Sequence, residues 1–179
     1  KSFVRRLEVQ LMYGQVGIGT LKVNAAGVVI EIADEEWAAG IWSGSERMPV
    51  EIFSPDLSVS RGAAAVVSYD FDAKTITLDT DLSATALAGD VIRYKGSAVV
   101  GQDYEFAGLH KIITNTGTLF NINASAYNLW KGNVVEVGSD FAGNEARISF
   151  AKLEEGISRA MEKGLADEDV DVILNPKNW

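Results

Sequence analysis

Few side chains in this sequence are of a type, and at a spacing, that could do chemistry. Ser149-Phe150-Ala151-Lys152 has the Ser-x-x-Lys spacing of acyl-serine enzymes, but no Lys-Thr-Gly or Ser-Asp-Asn motif accompanies it. A serine that opens an apolar-periodic run predicts a helix N-cap instead. His110 is the only histidine, which excludes a multi-histidine metal site and leaves a general-base role without an assignable nucleophile. Beside Leu109 in a short predicted helix, it reads as structural. There are no cysteines, so thiolate nucleophiles, disulfide scaffolds, zinc fingers and iron–sulfur ligation are excluded.

The glycine-rich stretches do not fit nucleotide sites. Gly17-Ile18-Gly19-Thr20-Leu21-Lys22 follows a predicted helix rather than a strand, and Lys22 stands where a dinucleotide fold needs a third glycine. Gly96 to Gly101 has the glycine spacing of a phosphate loop, but Gln102-Asp103 replace the Lys and Ser/Thr that would contact phosphate and magnesium, so it reads as a flexible connection. Asp70, Asp72, Asp79 and Asp81 lack the glycine and terminal glutamate of an EF-hand loop and read as solvated turn carboxylates. Glu35-Glu36 and Glu154-Glu155 are sequence neighbours that point in different directions on a helix, so neither pair is an acid–base couple by itself. The expectation is no catalytic residue, no metal and no cofactor. Trp37, Trp42, Trp130 and Trp179 are spaced irregularly, as core and interface aromatics are.

Positioning elements follow from periodicity. Phe3, Leu7 and Leu11 recur at i, i+4 and i+8, with Val4 and Met12 alongside, and predict an amphipathic helix over 3–15 that stops at the glycines from Gly14 to Gly19. From Thr20 to Tyr104 short β-branched runs alternate with turns: 21–23, 28–32, 50–53, 64–69, 75–78 and 91–94. Asp70 to Lys74 predicts a hairpin loop, and Ala88-Gly89-Asp90 a turn into Val91. Asp34 is placed to cap a helical turn carrying Trp37 and Ile41. A short helix is expected over 107–114, followed by an irregular stretch through Trp130. Phe150, Leu153, Ile157, Ala160 and Met161 predict a second long helix, capped by Ser149 and ended by Gly164, in which Gly156 implies close packing. Val170 to Leu174 reads as a strand, and Asn175-Pro176 opens a further helix. The chain stops inside that turn, as a fragment would.

With 179 residues, 47% hydrophobic, the chain is long enough to build a buried core. Its 16 basic and 25 acidic residues give a net charge of −9, so sequence-specific nucleic-acid binding is not expected. The charge is uneven: residues 1–30 carry an excess of basic side chains, and residues 31–60 one basic against seven acidic. No run of about 18 apolar residues is present, and no membrane span is expected.

The order of these elements resembles the middle of a tailed-bacteriophage or prophage major capsid protein of the Hong Kong 97 coat type. The resemblance rests on Leu7 to Gln15 (Leu-Glu-Val-Gln-Leu-Met-Tyr-Gly-Gln), Ala88 to Tyr94, Phe106-Ala107-Gly108-Leu109, Gly117 to Lys131, the helix Phe150 to Lys163, and Val172 to Trp179 with its Asn-Pro-x-x-Trp ending. It implies an α+β coat-fold fragment in three parts: the C-terminal part of a spine helix (1–19), an inserted β-rich subdomain (20–105) and a truncated axial domain (106–179). Gly108, Leu109, Asn175, Pro176 and Trp179 would be fold-motif residues, and Phe3, Leu7 and Leu11 an assembly surface. The implied function is a structural shell subunit enclosing phage DNA, with copies of itself and a scaffolding protein as partners, found in the virion and, during assembly, in the bacterial cytoplasm. A β-rich binding module of another virion or tail component is the alternative, and an enzyme the remaining one.

Overall fold

A computed structural model describes residues 2–22, 27–34, 36–115, 117–136, 149–165 and 169–172, which mix helix with antiparallel sheet. The chain forms two compact units, Lys1–Ile112 and Ile113–Trp179.

The first unit opens with α1 (Ser2–Tyr13) and continues through β1 (Val29–Glu31), the single turn α2 (Ala39–Trp42), β2 (Pro49–Phe53), β3 (Ser60–Asp70), β4 (Thr75–Leu78) and β5 (Val91–Tyr94). The sheet order is β1-β4-β3-β2-β5, and every pairing is antiparallel. The eleven-residue β3 holds it together: its first half pairs with β2 and its second with β4, across an irregularity between Val66 and Ser68. Residues 18–22 then pair with both outer strands. Ile18 N–H donates to Ile92 O at 2.9 Å and Ile92 N–H to Gly19 O at 2.9 Å, while Ala33 N–H donates to Thr20 O at 2.9 Å. Bridges Thr20–Val91 and Leu21–Ile32 complete the circuit, so the sheet closes into a barrel without a free edge along this seam.

Period-two alternation fills that barrel. Ile30 and Ile32, Val50 and Ile52, Ile76 and Leu78, and Ile92 and Tyr94 are buried, together with Leu21, Val66 and Trp42. Val28, expected on the face of Ile30 and Ile32, is instead exposed just before β1. The Asp70–Lys74 hairpin forms as expected, with Asp70 opposite Thr75; Asp70 Oδ1 accepts the Asp72 and Ala73 N–H groups. Asp34 caps no helix: it pairs with Lys74 Nζ at 2.8 Å, and the helical turn begins only at Ala39. Gly96 to Gly101 is not a loose connection, because Ala98–Val99 (β6) and Gln102–Asp103 (β7) pair as a hairpin, packing Ala98 beside buried Phe53 and Leu57.

Helix α1 packs on the barrel: Val9 is part of the barrel's core, with Tyr13 against it. The division between the two compact units falls between Ile112 and Ile113, within α3 (Leu109–Ile113).

In the second unit, β8 (Thr118–Leu119) and β9 (Ile122–Asn123) form a two-residue hairpin with Phe120 and Asn121 both at positive φ. Helix α4 (Phe150–Glu162) is capped by Ser149, whose Oγ accepts the Lys152 N–H at 3.2 Å, and ends at Gly164, φ +101°. Its inward face is Leu153, Ile157 and Ala160, whereas Phe150 and Met161, expected on that face, are exposed. Among the described residues a Cβ on Gly156 would meet only the Val135 side chain, at 3.8 Å, so no close approach of described backbone demands this glycine. Of the strand expected over Val170 to Leu174, residues 170–172 pair with no described partner, and residues 173–174 lie outside the described residues.

Candidate functional site

Two of the segments on which the resemblance rests, Leu7 to Gln15 and Phe106 to Leu109, meet where α1 ends. Gly14 terminates the helix with its N–H on Gln10 O at 2.8 Å, and Gly108 N–H donates to Gly14 O at 2.9 Å. A Cβ on Gly14 would lie 2.3 Å from Phe106 O, and one on Gly108 2.4 Å from Gly14 N, so two backbones touch here with no room for a side chain. Leu109 opens α3 and is exposed. Asn175, Pro176 and Trp179 lie outside the described residues, as does the Phe3 side chain.

A buried polar network surrounds this contact, and sequence reasoning missed it. Alternation correctly turns Arg93 away from the barrel interior, but its side chain is only 4% exposed. Its guanidinium pairs with Asp103, lies 3.8 Å from Glu105 Oε2, and donates to Gln15 O at 2.7 Å. Glu105, equally buried, accepts from Gln10 Nε2 at 3.2 Å and from the Gln15 backbone N–H at 3.1 Å, and its carbonyl accepts from Gln15 Nε2 at 2.9 Å. The network locks the helix exit to β5 and to the chain leaving β7. Packing leaves no volume for a ligand beside it, so its chemistry is that of a clasp. A second such pair, Arg61 on Asp90, anchors the turn before β5; Asp90 also accepts the Leu87 N–H at 2.7 Å.

On α1, Leu7 and Leu11 are exposed, as is Val4, while Val9 turns to the barrel. Arg6 stacks its guanidinium 4.8 Å above the Tyr94 ring. In the second unit large apolar side chains reach solvent: Phe120, Tyr127, Leu129, Val134, Phe150 and Met161. A cavity of about 430 Å³ lies along α4, lined by Leu153, Ile157 and Ala160 and by Val135, Val170 and Val172.

The side chains considered for chemistry make local contacts. Ser149 caps α4, and Lys152 Nζ binds Glu155 Oε2 at 3.1 Å; that hydrogen bond, with Coulombic help from Lys152 and Arg159, holds the Glu155 carboxyl below its ordinary range. The His110 ring lies 6.3 Å from that of Tyr13. Asp79 is lowered chiefly by the Ala65 N–H, and Asp81 by hydrogen bonds from Ser83. Asp56 is lowered furthest, from 3.8 to about 2, first by the Ser54 hydroxyl and then by the N–H and hydroxyl of Ser58. Among the described residues no group of three or more His, Cys, Asp or Glu is placed to hold a metal ion, and no helix is long and apolar enough to cross a membrane. The chain matches no protein-family model, curated protein or solved structure.

Proposed function

We propose that this chain is part of a phage major capsid protein of the Hong Kong 97 coat type, in which α1 is the end of the spine helix, the barrel is an inserted module, and the residues from Gly108 onward enter the axial domain. The observation that carries this reading is the backbone contact between Gly14 and Gly108. An insertion must leave and rejoin its host at neighbouring points, because the host's own elements have to remain in register. Here the chain departs at Gly14, closes a complete barrel, and returns to that same residue. The exposed apolar side chains of α1 and of the second unit support the reading, since a shell covers such surface by repeated subunit contacts. The role is structural, without a catalytic step, with copies of the same chain and a scaffolding protein as partners, in the virion and the bacterial cytoplasm.

Electron microscopy of the intact gene product tests the proposal. Closed shells are expected; a monomer under conditions where related coats assemble overturns it, and specific saturable binding by that monomer would favour a virion or tail binding module. Turnover abolished at Ser149, Lys152 or His110 would instead make it an enzyme.

A further inference from the structure

The barrel carries a surface that the coat reading leaves unused. Trp37 stacks on fully buried Trp42, with centroids 6.0 Å apart and ring planes within 15°. Phe71 meets Trp37 edge-on at 6.3 Å and lies 4.6 Å from Tyr69, whose hydroxyl accepts the Gly44 N–H at 3.4 Å. Phe71 occupies the β3–β4 hairpin turn, a position that ordinarily favours polar residues, and is 43% exposed there. Its ring is held by other aromatics at the margin of the core, so Phe71 and the part-exposed Trp37 and Tyr69 form an aromatic patch at the surface.

The rim of that patch is acidic. Asp34 is matched by Lys74 and Lys22, Lys22 also by Glu31, and Arg47 follows Glu46. Glu36, next to Trp37, and Asp70 and Asp72, flanking Phe71, make no ion pair with any described residue. We propose that this patch docks a basic segment of a partner protein, with arginine or lysine heads over the rings and the three carboxylates supplying Coulombic attraction. Ring faces attract cations through their quadrupole, and the molecule already uses that geometry where Arg6 covers Tyr94. An uncharged sugar would gain stacking and hydroxyl hydrogen bonds to the carboxylates, but no net Coulombic attraction from them. A second copy of this chain, at net charge −9, offers no comparably basic face beyond its N-terminal stretch. The inference does not depend on shell formation.

The test is titration of the full chain with ten-residue arginine and lysine peptides, followed by tryptophan fluorescence and calorimetry. Saturable binding is expected, weakening about tenfold between low and physiological salt. Phe71→Ala and the pair Glu36→Gln, Asp72→Asn should each weaken it at least about fivefold, whereas Glu154→Gln with Glu162→Gln, which removes equal charge from α4, should not. Equal loss in the α4 variant means a diffuse charge effect and overturns the proposal. So does absence of saturation, saturation by a neutral oligosaccharide instead, or concentration-dependent self-association abolished by Phe71→Ala. Phe71 is exposed, and the charge variant leaves the rings untouched, so a folding failure in one leaves the other informative.

Discussion

Gly108 donates its N–H to the carbonyl of Gly14 at 2.9 Å, and neither residue has space for a Cβ. The obstacle at both is backbone, which cannot rotate away as a side chain can. Gly108→Ala and Gly14→Ala are each expected to destabilise the first unit by about 1–3 kcal/mol, the range for forced overpacking. The double variant should cost less than the two together, because one separation of the backbones relieves both. Urea denaturation of the four proteins measures this, and strict additivity would sink the shared-contact account.

Arg93, itself almost free of solvent, faces the buried Glu105 and the part-exposed Asp103. Arg93→Met keeps much of the side-chain volume but leaves the buried Glu105 carboxylate, and the part-exposed Asp103, without their cation, and should cost about 3 kcal/mol. Hydrogen exchange is expected to show the loss first at Gln15 and along β5, where the guanidinium joins the helix exit to the barrel. Unchanged protection at those amides would remove the clasp from the explanation.

Asp56 should titrate near 2 in the folded protein, against an ordinary 3.8. Because the folded value is the lower one, its stabilising contribution is complete above about pH 4 and disappears as pH falls through 2. Carboxyl carbon NMR reads the midpoint directly. Ser54→Ala removes the largest cause and should move the midpoint upward.

Gly156→Ala is expected to stabilise the second unit by up to about 1 kcal/mol. A helix-interior glycine costs that much relative to alanine, and among the described residues the added methyl meets only Val135, at ordinary contact distance. A loss of thermal stability on this substitution would indicate a close approach to Gly156 and restore the packing role expected from its sequence position.

What could be read in the sequence was local. The period of two buried Ile30 and Ile32, and Ile92 and Tyr94, where expected, because alternation decides which face of a strand meets the core. Ser149 and Gly164 bounded α4 because capping is settled within a turn of chain, and Asp70 turned the hairpin for the same reason. Tertiary structure decided everything that depends on distant partners. No pattern in Ile18 to Lys22 announces a segment that pairs with β5 and β1 at once, since barrel closure is a property of the whole sheet. Alternation sent Arg93 outward, but whether outward meant water or a buried clasp depended on Gln10, Gln15 and Glu105 arriving from far along the chain. The same holds for Gly14 and Gly108: each reads alone as an ordinary helix stop or turn, and only their meeting gives the absence of a side chain its physical reason.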